Sequence, residues 1–151
     1  MKIGGVQVNR CEDVLVLPRK GEDIVFKAHA VLGMDEFHEL CPKPVTPQKI
    51  TPNGKEDNVT AQHIKELTKW GERRYQYIVL KTLEPSNIEW DSVDVSKPST
   101  WDNWIEDFKK AGLSDAEINR VQSLVLDANS LNESKLKAAR EAFLLGQGKE
   151  A

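Results

Sequence analysis

W-D-N-W-I-E-D-F-K-K-A-G-L-S-D-A-E-I-N-R-V-Q-S-L-V-L-D-A-N-S-L-N-E-S-K-L-K-A-A-R-E-A-F-L-L-G, residues 101–146, holds the start of three helices. Ser99 or Thr100 can cap the first, which carries Trp101, Trp104, Ile105 and Phe108. Gly112 fits the left-handed position after that helix, where a residue without Cβ bends the chain at no steric cost, and Leu113 then packs back on Phe108. Ser114 and Glu117 have the spacing of a capping box, with Leu113 and Ile118 as its hydrophobic staple. The second helix presents Ile118, Val121, Leu124, Val125 and Ala128 as a core stripe. Asn132 caps the third, with Leu131 and Leu136 as staple and Leu136, Ala139, Arg140 and Phe143 along one face. Gly146 is the expected stop, and Gln147 to Ala151 the expected frayed tail.

Two apolar groups in this stretch are candidate partner-binding residues. Trp101, Trp104 and Phe108 recur at i, i+3 and i+7, the spacing of a core stripe and equally of an aromatic face for a partner, since Trp is enriched at interface hot spots. Phe143, Leu144 and Leu145 are consecutive, and three successive helical residues fan over about 200°. They cannot all enter one core, so at least one is expected at the surface or under another chain.

Upstream, Thr60 is a candidate N-cap with Val59 and Ile64 as staple. Ile64, Leu67, Gly71, Arg74 and Ile78 follow at helical spacing, which predicts the longest helix, ending near Glu84-Pro85. Gln76 to Thr82 is rich enough in Tyr, Ile and Val to read as strand, but no turn signal separates it from the helix. Residues 42–58 hold four prolines and read as a connecting arm, either a surface loop or a segment ordered by a partner. Met34 to Leu40 reads as a short helix stopped by Pro42.

Residues 2–32 are β-rich: Ile3 to Val8, Asp13 to Leu17 and Ile24 to Val31, with Pro18-Arg19-Lys20-Gly21 turning the last two into an antiparallel hairpin. Both faces of the middle strand are apolar, Val14 with Val16 and Leu15 with Leu17, which predicts a cover on each side. The fold class expected is thus α+β: a small N-terminal antiparallel sheet or hairpin packed with a C-terminal bundle of about four helices. At 151 residues it is read as one domain, 1–151, mainly helical over 60–146.

Composition narrows the function classes. With 39% hydrophobic and 30% charged residues and a net charge of −3, the chain is neither disordered nor a nucleic-acid binder by charge; its longest basic clusters are Arg73-Arg74 and Lys109-Lys110. No stretch approaches the roughly 18 apolar residues of a membrane span, and the first residues form no signal segment, so a cytoplasmic location with reduced Cys11 and Cys41 is expected.

Catalytic signatures are sparse. His38-x-x-Cys41 is the best metal-ligand spacing, with Cys11, His29 and His63 elsewhere, whereas a structural zinc site brings two close pairs. No serine lies in a nucleophile elbow, Gly4-Gly5 precedes a strand rather than a helix, and no phosphate-binding pattern occurs. Neither catalytic nor cofactor nor metal residues are assigned, and the cysteines read as small buried hydrophobes.

L-E-P-S-N-I-E-W-D-S-V-D at Leu83 to Asp94, W-D-N-W-I-E-D-F-K-K-A-G-L-S at Trp101 to Ser114 and L-D-A-N-S-L-N at Leu126 to Asn132 resemble small tailed-bacteriophage proteins, the tail assembly chaperones. V-L-V-L-P-R, D-I-V-F-K-A and M-D-E-F-H-E-L-C-P-K-P, within residues 14–44, extend the resemblance over most of the chain. It implies a non-enzymatic factor in the host cytoplasm that keeps the tape measure protein soluble while tail tube proteins assemble around it, with homo-oligomer formation left open. The alternative is a structural virion component of the tail, neck or baseplate. The motifs contain no active-site residues.

Overall fold

In the computed structural model, which describes residues 1–150 and their side chains through Gln147, an α+β body carries three appendages. β1 (Lys2–Ile3) and β2 (Val6–Gln7) form a small hairpin; β3 (Glu12–Leu17) and β4 (Ile24–His29) form a second, antiparallel one. α1 (Asp35–Leu40) follows, then a third hairpin, β5 (Gln48–Thr51) with β6 (Gly54–Asp57). The remainder is helical: α2 (Ala61–Thr82), α3 (Trp104–Ala111), α4 (Asp115–Ala128) and α5 (Glu133–Glu150).

The C-terminal stops and starts are built as their local chemistry dictates. Gly112 is left-handed (φ 103°), its N–H donates to Lys109 O at 3.0 Å and that of Leu113 to Phe108 O at 2.9 Å, the two bonds of a Schellman ending. Both halves of the Ser114–Glu117 capping box are present, and Leu113 and Ile118 are buried together. Ile118, Val121, Leu124, Val125 and Ala128 all enter the core, as their spacing predicts. Leu17, Phe26 and Ala28 of the β3–β4 hairpin, Phe37 of α1 and Tyr77 to Leu80 of α2 join them in a single cluster.

Elsewhere the structure corrects the sequence reading. Ile3 to Val8 is not one strand, because Gly4 and Gly5 both take positive φ (57° and 82°) and reverse the chain between β1 and β2. The proline-rich arm contains β5 and β6: Pro47 precedes the first strand, Pro52 sits in the turn and Gly54 (φ 106°) lets the chain return. Ile64 and Arg74 are exposed while His63 is buried, so the packed face of α2 differs from the expected stripe; Val59 is exposed too, and the staple buries nothing. Thr60 nevertheless caps α2, accepting from His63 N at 3.0 Å. Trp101 begins in a 3-10 turn, Pro98–Asn103, rather than behind a Ser99 or Thr100 cap; Thr100 instead ties the turn to Asp94, accepting its N–H at 2.9 Å. Cys11 is exposed; only Cys41 is a buried hydrophobe.

The largest departure is α5. Asn132 caps it, accepting from Lys135 N at 3.3 Å, but Leu131, Leu136, Ala139, Arg140 and Phe143 are exposed, and the helix runs through Gly146 to Glu150 instead of stopping. Ala151 lies outside the described residues. A 17.0 kDa compact monomer is expected to expose about 7,700 Å², whereas this chain exposes 10835 Å². The excess belongs to the two outer hairpins and to α5, whose residues are nearly all exposed.

Candidate functional site

The two apolar groups singled out in the sequence have opposite fates. Trp101, Trp104 and Phe108 are each 5% exposed or less, so they form no partner-binding face. The Trp101 ring lies 5.6 Å from Tyr77 and 6.3 Å from Phe37, and its indole N–H donates to Val95 O at 3.0 Å. Phe108 is edge-on to Phe26 (5.6 Å, 81°) and to Trp104 (5.8 Å, 86°), the geometry ring quadrupoles prefer. These rings cross from α3 to the β3–β4 hairpin and from the 3-10 turn before it to α1 and α2, which is why their stripe turns inward.

Phe143, Leu144 and Leu145 are 63%, 52% and 68% exposed, on the last turns of α5. Among the described residues, only the root of that helix is tied down. Leu131 N donates to Leu126 O at 2.8 Å, Asn132 Nδ2 donates to Asp127 Oδ1 at 3.0 Å, and Lys135 Nζ pairs with Asp127 Oδ2. The Lys135 ammonium holds the Asp127 carboxyl below its ordinary pKa. Ala138, Ala139 and Ala142 favour helix, but an isolated helix of this length is marginal in water and gains most of its stability from whatever it packs on. Three large apolar side chains thus project on a helix that its own body does not cover.

A cleft of about 270 Å³ on the body is lined by Ile24, Phe26, Ile88, Trp90, Phe108 and Leu113, with the carboxylates of Glu89, Asp91 and Asp107 at its edge. Asp107 is already engaged: its Oδ2 accepts from the N–H groups of Asp91 and Ser92, both at 3.0 Å, and its Oδ1 from the Ser92 hydroxyl. Burial pushes this carboxyl up, but the Ser92 and Asp91 hydrogen bonds outweigh it and hold the group below the usual carboxylate range. Its role is to anchor the Trp90 segment over α3.

Replacing Asp107 with Ala removes the shared acceptor of the Asp91 and Ser92 donors and is expected to cost about 1–3 kcal/mol. Because the folded state favours the ionised form, the ionisation-dependent part of this contribution is present above the ordinary Asp pKa of about 4 and is lost as pH falls through the lowered folded value. Asp107→Ala removes that part of the acid dependence, which thermal melts between about pH 2 and pH 6 would record.

Other residues carry structure that the sequence did not single out. Asn129 joins three elements, its Nδ2 donating to Thr82 Oγ1 at 2.8 Å and to Val125 O at 2.9 Å while its Oδ1 accepts from Val31 N at 2.8 Å. Arg19 forks onto Glu117 with bonds of 2.7 and 2.8 Å, fixing the β3–β4 turn to the start of α4. The Arg19 guanidinium lowers the Glu117 pKa. Among the described residues no three of His, Cys, Asp and Glu gather into a group that could hold a metal ion. No helix is long and apolar enough to cross a membrane, again among the described residues.

Comparison with protein-family models, curated proteins and solved structures finds no match for this chain.

Proposed function

We propose that the protein is a non-enzymatic phage tail assembly chaperone, which binds the tape measure protein in the host cytoplasm and keeps it soluble during tail assembly. The observation that carries this reading is α5, a helix held to the body only at its root, with Phe143, Leu144 and Leu145 in solvent at its far end. A tape measure protein is a long helical client with apolar stripes that aggregates alone. Helix-against-helix packing of its stripes with α5 removes apolar surface from both partners. Many copies on one long client add avidity without needing high affinity at each contact.

Co-expression tests the reading. The tape measure protein is expected in the soluble fraction when this chain is present and in the pellet when it is absent; a client that pellets in both cases rejects the chaperone role. The projecting β1–β2 and β5–β6 hairpins favour the alternative, a virion component that interlocks with neighbours through them. Mass spectrometry of mature particles separates the two, since a chaperone leaves the finished tail and a structural part stays in fixed copy number.

A further inference from the structure

The β3–β4 hairpin has one sealed edge and one open edge. In its register Glu12 faces His29, Val14 faces Lys27 and Val16 faces Val25. Ala30 N donates to Cys11 O at 2.9 Å, which places Cys11, Asp13, Leu15 and Leu17 in the hydrogen-bonded pairs. The backbone groups of Glu12, Val14 and Val16 therefore point away from β4, and those of Lys27 away from β3. On the β4 side a side chain replaces the missing strand: Ser86 Oγ accepts from Lys27 N at 2.8 Å and donates to Lys27 O at 2.7 Å.

On the β3 side nothing equivalent exists among the described residues. The Val14 N–H is held by the neighbouring Asp13 carboxylate at 2.8 Å, an exposed local bond that an incoming strand would exchange. Val14 and Val16 are more than half exposed, and Val25 stands beside them on the same bare face. A groove of about 220 Å³ runs along this edge, between Asp13, Val14 and Leu15 on one side and Arg120, Ser123, Leu124 and Asp127 of α4 on the other. Native edge strands are usually blunted by proline, lysine or a bulge, and Val14-Leu15-Val16-Leu17 has none of these.

We propose that the β3 edge pairs with the β3 edge of a second copy of this chain, in antiparallel register centred on Val14, joining the two hairpins into one four-stranded sheet across a two-fold axis. The occupant follows from self-complementarity. A two-fold axis through an antiparallel strand pair presents each edge with its own pattern of donors and acceptors. With Val14 opposite Val14 of the second copy, Glu12 falls opposite Val16 and every outward-pointing residue of both strands is paired, for about six hydrogen bonds. Centring on Asp13 sets two aspartates face to face, a destabilising pair. Centring on Leu15 carries Glu12 past the strand to Pro18, which has no N–H to give. The Val14-centred register also brings Val14, Val16 and Val25 of both copies into one diagonal apolar stripe on the bare sheet face, flanked by Glu12 and Lys27.

Sedimentation velocity of the full chain and of Val14→Pro provides the test. Proline at 14 removes an outward N–H and no bond to β4, so the hairpin keeps its ladder while self-association weakens about tenfold or more. A wild-type chain that stays monomeric up to about 100 μM overturns the proposal, as does a dimer whose affinity Val14→Pro leaves unchanged. Should Val14→Pro fail to fold, Val14→Cys in a Cys11→Ser background decides. Paired residues in the Val14-centred register have Cα atoms about 5.5 Å apart, within disulfide reach. Mild oxidation is expected to link Val14→Cys copies into dimers and to leave Val25→Cys copies unlinked; absence of the Val14→Cys link, or equal linkage at both positions, rejects the pairing.

Discussion

Trp101→Ala is expected to lower stability by about 3–5 kcal/mol. The ring is fully buried, touches Phe37 and Tyr77, and satisfies its N–H on Val95 O, so its removal leaves a cavity and an unpaired carbonyl at the meeting point of α1, α2 and the 3-10 turn. At this chain length each kcal/mol moves the melting temperature by about 2–4 °C, which puts the drop on the order of 10 °C. Differential scanning calorimetry measures it. The experiment also separates two roles that the i, i+3, i+7 spacing alone leaves equal: an interface tryptophan would leave the melt of the free protein almost unchanged.

Changing Phe143, Leu144 and Leu145 together to Ser is expected to do the opposite. None of the three packs on the body, so the main unfolding transition of the free protein should stay within about 0.5 kcal/mol of wild type. Client retention should collapse, because the variant replaces the exposed apolar end of α5 with hydroxyls that gain nothing by leaving water. Pull-down of co-expressed tape measure protein reads the first quantity and calorimetry the second. An unchanged melt with client lost is the expected pair; full client retention by the variant removes α5 from the account.

What was legible in the sequence was what short-range chemistry decides. Gly112, the Ser114–Glu117 box and the Ile118 to Ala128 stripe form within a few residues of one another, and the structure builds them as their spacing predicts. The β3–β4 hairpin belongs to the same class, its turn marked by Pro18 and Gly21. The β5–β6 hairpin did not, because a count of prolines does not distinguish a breaker from Pro47 just before β5 or Pro52 in the turn, where a missing N–H costs nothing.

The fate of an apolar stripe is a tertiary matter. Trp101, Trp104 and Phe108 recur at helical spacing in sequence much as Leu136, Ala139, Arg140 and Phe143 do, yet the first set meets Phe26, Phe37 and Tyr77 while the second meets solvent. A cap and a staple at Leu131 to Leu136 announce that a helix starts, not that anything lies beneath it. Asp107, Asn129 and Arg19 were unreadable for a related reason. Their partners lie far along the chain, and an acid, an amide or a cation alone has no spacing to betray them.

Backbone hydrogen exchange along residues 133–147, with and without bound tape measure protein, tests the central claim that α5 is the client-holding element. Fast exchange is expected in the free protein, where the helix lacks a packing partner, and strong protection of this segment in the complex while the core of α2 and α4 is little changed. A soluble complex in which residues 133–147 exchange as fast as in the free chain would contradict it.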